Sequence, residues 1–385
     1  MIIERYLGLI FLTIGLLPSS CRENDTGLFD ESVINQYLNL PPNPHNYTAI
    51  TVPDFLDKKL IERQDNTPIT NEISDNGATL GRVLFYDKNL SLSKTISCAS
   101  CHQQQFGFSD TARFSVGHAG DKTKRHSMAL ANSRFRTSGI FFWDGRASAL
   151  EVQVLKPIQD ATEMNLTLTQ LIEMVEAQPY YPILFKRAFG TTSIDTVKIA
   201  QALAQFVRSM QSFDSKYDQG RLNDQRDSSF TNFSTQENLG KSLFFNFSKG
   251  NCAGCHYSDA FVMDIPRNNG LVSENTSNAD IGYLGTTGDP QDLGKFIAPS
   301  LRNIGVRPPY MHDGRFATLG EVVSHYSESI LWSETLDPHL LGSQPNTAKR
   351  FNLNNTEKEA LVAFLNTLTD NVIFSDERFS DPFIR

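Results

Sequence analysis

Apolar residues recur at three- and four-residue spacing in two places, and each run predicts a helix with one face in a core. Val197, Ala200, Leu203, Phe206, Val207 and Met210 form the clearer stripe, behind Asp195 at the position of a helix cap. Near the end, Thr356-Glu357-Lys358-Glu359 has capping-box spacing and leads into Ala360, Leu361, Phe364 and Leu365. No convincing alternation of apolar and polar positions marks a half-buried strand. The pattern predicts a mainly α fold with long loops and little β. A third run, Leu7 to Leu17, is unbroken but too short to make a good membrane-spanning helix.

Two short patterns occur twice, in the same order. Leu80-Gly81-Arg82-Val83-Leu84-Phe85 is echoed by Leu239-Gly240-Lys241-Ser242-Leu243-Phe244. Further on, Trp143-Asp144-Gly145-Arg146, with Leu150 after it, is echoed by His312-Asp313-Gly314-Arg315, with Leu319. Such repetition implies duplication of one structural unit. The expected layout is a segment 1–21, an Asn/Pro-rich linker 22–45, a first domain 46–190 and a second domain 191–385, whose tail after about 370 packs back on the first. Asp144 and Arg146, repeated in both halves, read as residues that hold a turn.

Between the repeated patterns lie Cys98-Ala99-Ser100-Cys101-His102 and Cys252-Ala253-Gly254-Cys255-His256. Paired thiols of this spacing also occur in zinc sites, redox dithiols and disulfides, and the two pairs together could make one four-thiolate zinc site. None of those needs a histidine directly after the second cysteine in both copies. Thioether attachment of haem does: Cys98 and Cys101 hold one, Cys252 and Cys255 a second, and His102 and His256 bind the irons. The cofactors are therefore two covalently bound haem c, and the domains are cytochrome c-like.

With 385 residues, 39% hydrophobic and 20% charged, the chain is long enough for about two domains with their own cores. A net charge of −8 argues against nucleic acid and leaves a basic protein partner open. Arg5, the run Leu7–Leu17 and Pro18-Ser19-Ser20-Cys21 have the lengths and small residues of a secretory signal. The polar residues after Cys21 resemble a lipoprotein signal in which that cysteine becomes the lipidated first residue, although Pro18 departs from the usual pattern. The expected location is the periplasm, with a lipid anchor through Cys21.

A haem with two protein ligands carries electrons, and one with an open or displaceable position reacts with small molecules. His45 and His339 read as surface residues. His118, in Ser115-Val116-Gly117-His118-Ala119-Gly120, is either an exposed loop histidine or a ligand that can reach the iron and withdraw. Spacing alone leaves both open.

The stretches Leu84-Phe85-Tyr86-Asp87, Thr95 to His102, Phe142-Trp143-Asp144-Gly145-Arg146 and Pro309-Tyr310-Met311-His312-Asp313-Gly314-Arg315 resemble the bacterial di-haem cytochrome c peroxidase family, MauG-type enzymes included. The resemblance spans roughly residues 50 to 370. It implies that the N-terminal haem is peroxidatic and that His118, sixteen residues after His102, is its displaceable ligand. It assigns Gln153 and Glu163 to the same pocket and Trp143 to a place between the haems. Fourteen residues after His312, where the peroxidases carry a methionine ligand, stands Tyr326, as in MauG-type proteins; Met311 and His325 are rival ligands. An interface calcium is also a family feature, but the segment expected to supply an Asn ligand reads Arg125-His126-Ser127-Met128. Backbone carbonyls near Arg307 and Pro309 leave room for Ca2+. Family members commonly form homodimers, so a homodimer is open too.

The resemblance implies a peroxidase that reduces hydrogen peroxide to water with electrons from a small c-type cytochrome or cupredoxin. Glu163 is then the proton carrier, Gln153 an orienting group and Trp143 an electron relay. Tyr326 favours a rival, a MauG-like oxidant of a protein side chain or other organic substrate, whereas His118 favours the peroxidase. A non-catalytic electron carrier is a third reading, against which Glu163 argues.

Overall fold

The computed structural model describes residues 32–384 apart from 50, 51, 57, 137, 264 and 273–278. The expected export signal and Cys21 lie outside the described residues. Six helices organise the rest: α1 (Ser32–Tyr37), α2 (Asp75–Tyr86), α3 (Tyr181–Phe189), α4 (Thr196–Ser209), α5 (Thr235–Phe245) and α6 (Asn355–Asn366). Short helical turns and loops connect them, and the only β pairings among the described residues are isolated bridges such as Phe141 with Ala147 and Tyr310 with Phe316. The mainly α expectation is met.

The repeated glycines explain how each half is built. At Gly81 a Cβ would lie 2.0 Å from the carbonyl oxygen of Ala202, so α2 and α4 cross backbone to backbone. The same crossing joins α5 to α6, where a Cβ on Gly240 would lie 1.8 Å from the Ala360 carbonyl oxygen. Phe85 and Phe206 fill the first core beside one crossing, with ring centroids 5.3 Å apart, and Phe244 and Phe364 fill the second at 5.0 Å.

These pairings correct three expectations. Helix α4 belongs to the first half, because its stripe of Ala200, Leu203, Phe206 and Val207 is buried in the core that α2 also lines. The first unit therefore runs through α4, beyond the boundary expected at 190. Residues 32–38, expected as linker, belong to the same core through Ile34 and Leu38. Asp195 does cap α4, accepting from the Lys198 amide at 2.8 Å, but the cap of α6 lies two residues earlier than expected: Asn354 and Glu357 form its capping box.

Matched left-handed residues record the duplication in backbone terms. Phe108 (φ 60°) answers Phe261 (φ 54°), Asn132 (φ 63°) answers Asn303 (φ 61°), and Phe142 (φ 67°) answers Met311 (φ 76°). A non-glycine residue in this region is strained, and its recurrence at equivalent places means the same sharp turns serve both halves. Residues 373–384 return to the first half, where Arg82 Nε donates to the Ser380 carbonyl at 2.6 Å and Tyr86 Oη to the Phe379 carbonyl at 2.6 Å.

Candidate active site: two cradles and the joint between them

Each CxxCH run turns sharply, the first as a single helical turn capped by Ser97 and Ser100. The left-handed phenylalanine that follows aims its carbonyl back at the histidine: His102 Nδ1 lies 3.0 Å from Phe108 O, and His256 Nδ1 lies 3.0 Å from Phe261 O. A carbonyl only accepts, so Nδ1 carries the proton and Nε2 keeps its lone pair for a metal. Burial lowers the proton affinity of both rings, His256 to about 4, and keeps them neutral. The four cysteines form no disulfide with one another. Among the described residues no cluster of three or more metal-binding side chains occurs, so the two CxxC pairs do not combine into one zinc site.

In the first half, His118 stands at the tip of a turn closed by the bridge of Val116 to Lys122. The turn lies on the segment carrying Glu163: the His118 amide donates to the Glu163 carbonyl at 2.8 Å, and a Cβ on Gly117 would collide with Thr162 O at 1.6 Å. Glu163 itself is half-buried, and its carboxylate has no hydrogen-bond partner among the described residues. Burial, helped by Asp160, pushes its pKa up to about 7, and its charge is felt at both Cys98 and Cys101. The carboxyl is thus within electrostatic reach of the first CxxC pair. Gln153 is half-buried at the end of the short helix Leu150–Gln153, and no hydrogen bond joins it to Glu163.

The second half holds a cavity of about 200 Å³, room for on the order of a dozen waters. Cys252, Cys255, His256, Met311, Tyr326 and Trp143 are among its walls. Tyr326 sits in a π turn, His325–Ser329, and burial pushes its phenol well above the ordinary range. Asn269 Nδ2 faces both oxygen and sulfur candidates, 3.2 Å from Tyr326 Oη and 3.5 Å from Met311 Sδ. His325 is turned elsewhere, its Nε2 bonded to the Asn269 carbonyl at 3.0 Å, and it does not line the cavity.

Arg307 provides the sharper test of whether this cavity suits haem. The residue is buried on the cavity wall, its Nη2 donates to the Ser300 carbonyl, and its Nε has no partner. Burial draws its pKa down to about 10, with Tyr310 the only group raising it. A buried cation with an unmet donor calls for an anion, and a haem propionate supplies one. Thiols, imidazole, apolar walls and this guanidinium together fit the group.

The joint between the halves centres on Trp143. Its Nε1 donates to His126 O at 2.7 Å, its carbonyl accepts from the Ile297 amide at 2.8 Å, and its ring lies 6.3 Å from that of His312. His312 in turn stacks on Phe296 at 3.7 Å and 10°. Beside them Arg125 pairs with Asp144 of its own half at 2.5 Å and with Asp280 of the other at 2.7 Å. Calcium prefers oxygen ligands, and this segment offers a guanidinium and an imidazole while the two carboxylates are already matched. These residues do not fit the calcium expected there.

The sequence singles out the attachment residues, His118, Gln153, Glu163, Tyr326 and Trp143 as candidates. It gives no role to the side chains of Arg307, Asn269 and Arg125, whose significance depends on partners far along the chain.

Fold and cradles define a two-domain di-haem c-type protein. A family profile described as di-haem cytochrome c peroxidase matches residues 75–226. The chain is 32% identical over 303 residues to the methylamine utilization protein MauG of Methylophilus methylotrophus, covering 78% of this chain and 84% of that one. It is also 32% identical over 303 residues to the cytochrome c551 peroxidase of Nitrosomonas europaea, covering 78% and 82%. The crystal structure of a MauG-like protein associated with microbial copper homeostasis superposes with a TM-score of 0.72 at 33% identity, over 86% of this chain and 99% of that one. The chain belongs to the di-haem cytochrome c peroxidase family, which takes in MauG, and the family carries two haem c groups.

Proposed function

We propose that this protein reduces hydrogen peroxide to water, taking two electrons per peroxide from a small c-type cytochrome or cupredoxin and two protons from solvent. The observation that carries the reading is Glu163, a half-buried carboxyl within electrostatic reach of the first CxxC pair with a pKa of about 7. Bound haem would supply the iron that takes peroxide and would store the two oxidising equivalents that peroxide leaves when its O–O bond breaks. Glu163 removes the proton from the inner peroxide oxygen and returns it to the outer oxygen, which leaves as water. Gln153 orients peroxide by hydrogen bonding. His118 would be the displaceable ligand of the first haem, on a turn fastened through its backbone amide to the Glu163 segment. His256 and Tyr326 would hold the C-terminal haem, through which electrons would enter, with Trp143 assisting their passage to the first. Export directed by Leu7–Leu17 and lipid attachment at Cys21 place the enzyme at the periplasmic membrane face.

The test mixes holoprotein with peroxide and reduced cytochrome c, as isolated and after partial pre-reduction. Oxidation of the cytochrome is expected; none in either state overturns the reading. A MauG-like oxidation of an organic substrate is the second reading, favoured by Tyr326, because a phenolate ligand stabilises ferric iron and slows electron entry from a cytochrome. Slow cytochrome turnover beside fast reaction of the oxidised protein with an organic donor is its signature.

A further inference from the structure

Asp87 is buried and binds four donors. Its Oδ1 accepts from the Asn89 amide at 2.8 Å and Asn89 Nδ2 at 2.9 Å; its Oδ2 accepts from Tyr180 Oη at 3.0 Å and Tyr181 Oη at 2.8 Å. The two phenols are 1% and 0% exposed, with ring centroids 4.7 Å apart. One contact further, at 5.5 Å, lies Tyr37, which is 41% exposed. At the inner end, Cys98 packs on the same core cluster as Tyr180 and Tyr181. A file of three phenol rings thus leads from the core that borders the first haem attachment site to the surface.

Satisfying a buried carboxylate accounts for Asp87 and its two hydroxyl donors. It does not account for the third ring, which takes no part in that network. We propose that Tyr181, Tyr180 and Tyr37 form a one-electron relay that carries oxidising equivalents from the N-terminal haem to the surface, where an electron-rich phenol is oxidised at Tyr37.

The step balances within the groups present. Tyr181 loses one electron to the peroxide-oxidised haem while its phenolic O–H breaks and the proton moves to Asp87 along the existing hydrogen bond. Tyr180 then gives Tyr181 an electron while Asp87 returns the proton of Tyr181 and takes that of Tyr180; Tyr37 in turn reduces Tyr180, Asp87 gives the proton back to Tyr180, and Tyr37 releases its own proton to solvent. A phenolic donor refills Tyr37. Without one, two oxidised Tyr37 rings couple, so that two tyrosines and one hydrogen peroxide give one dityrosine and two waters. The inference rests on peroxide reacting at the N-terminal haem, as proposed above.

Holoprotein is mixed with peroxide in the absence of any donor, and haem bands and dityrosine cross-links, located by mass spectrometry, are read in one sample. Cross-links at Tyr37 are expected, suppressed by added guaiacol. Tyr37→Phe, a surface change that leaves the core intact, should lower cross-linking at least about tenfold with the haem response unchanged. Tyr180→Phe should lower it while Tyr37 is still present. Haem bands that respond while Tyr37 stays unmodified, or Tyr37 cross-links undiminished in Tyr180→Phe, overturn the relay alone. Haem bands that ignore peroxide overturn the relay together with the peroxidase reading.

Discussion

At the scale of single residues, Glu163 ties chemistry to pH. The base form is lost as pH falls through about 7, so cytochrome-dependent turnover should decline about tenfold per unit below that point. Stability runs the other way. The ordinary value is 4.5, so between 4.5 and about 7 the unfolded chain releases a proton that the folded chain keeps. This group's contribution is fully present below 4.5 and is lost as pH rises to about 7. Glu163→Gln should cut turnover about 10²- to 10⁴-fold with both haem spectra retained, yet melt higher relative to wild type at pH 8 than at pH 4, by parallel thermal scans. Unchanged turnover removes Glu163 from the mechanism. Tyr326 sets the second haem: Tyr326→Met replaces a ligand that favours ferric iron with a thioether, so the potential should rise and cytochrome-dependent turnover increase. A spectroelectrochemical titration with no upward shift would mean that Tyr326 does not bind the iron.

At the scale of elements, the glycine crossings hold each half together. Gly81→Ala places a methyl where the Ala202 carbonyl stands and should destabilise the fold by about 3 kcal/mol or more, read from denaturant midpoints. The signal for these crossings was present in the repeated Leu-Gly-basic pattern, because a duplicated contact leaves a duplicated motif. The stripe of α4 was equally plain, but its allegiance was not: periodicity shows that a helix has a partner without saying which. Here the partner, α2, ends 110 residues before α4 begins (196 − 86). The cradles were legible for the opposite reason, since two thiols and an imidazole within one turn need no distant partner. Arg307, Asn269 and Asp87 acquire meaning only through groups brought beside them by folding, and no spacing along the chain marks them.

At the scale of the molecule, Arg125 is a cation shared between the halves. Its side chain is 20% exposed, so water screens the pairs only partly. Arg125→Ala leaves Asp280 without its guanidinium partner and Asp144 with Arg146 alone, and should cost about 1–3 kcal/mol, measured as a lower melting temperature. A calcium chelator should leave the wild-type transition in place. The returning tail makes a separate claim. Phe379 is 1% exposed in the first core, and Leu38 bridges to Phe383. Removing residues 371–385 should therefore loosen the N-terminal half before the C-terminal one, visible as faster amide exchange in α2 than in α5. The half that carries Cys98 and Cys101 is thus closed by residues 373–384, so its core is discontinuous in sequence: two stretches far apart along the chain must meet before it is sealed.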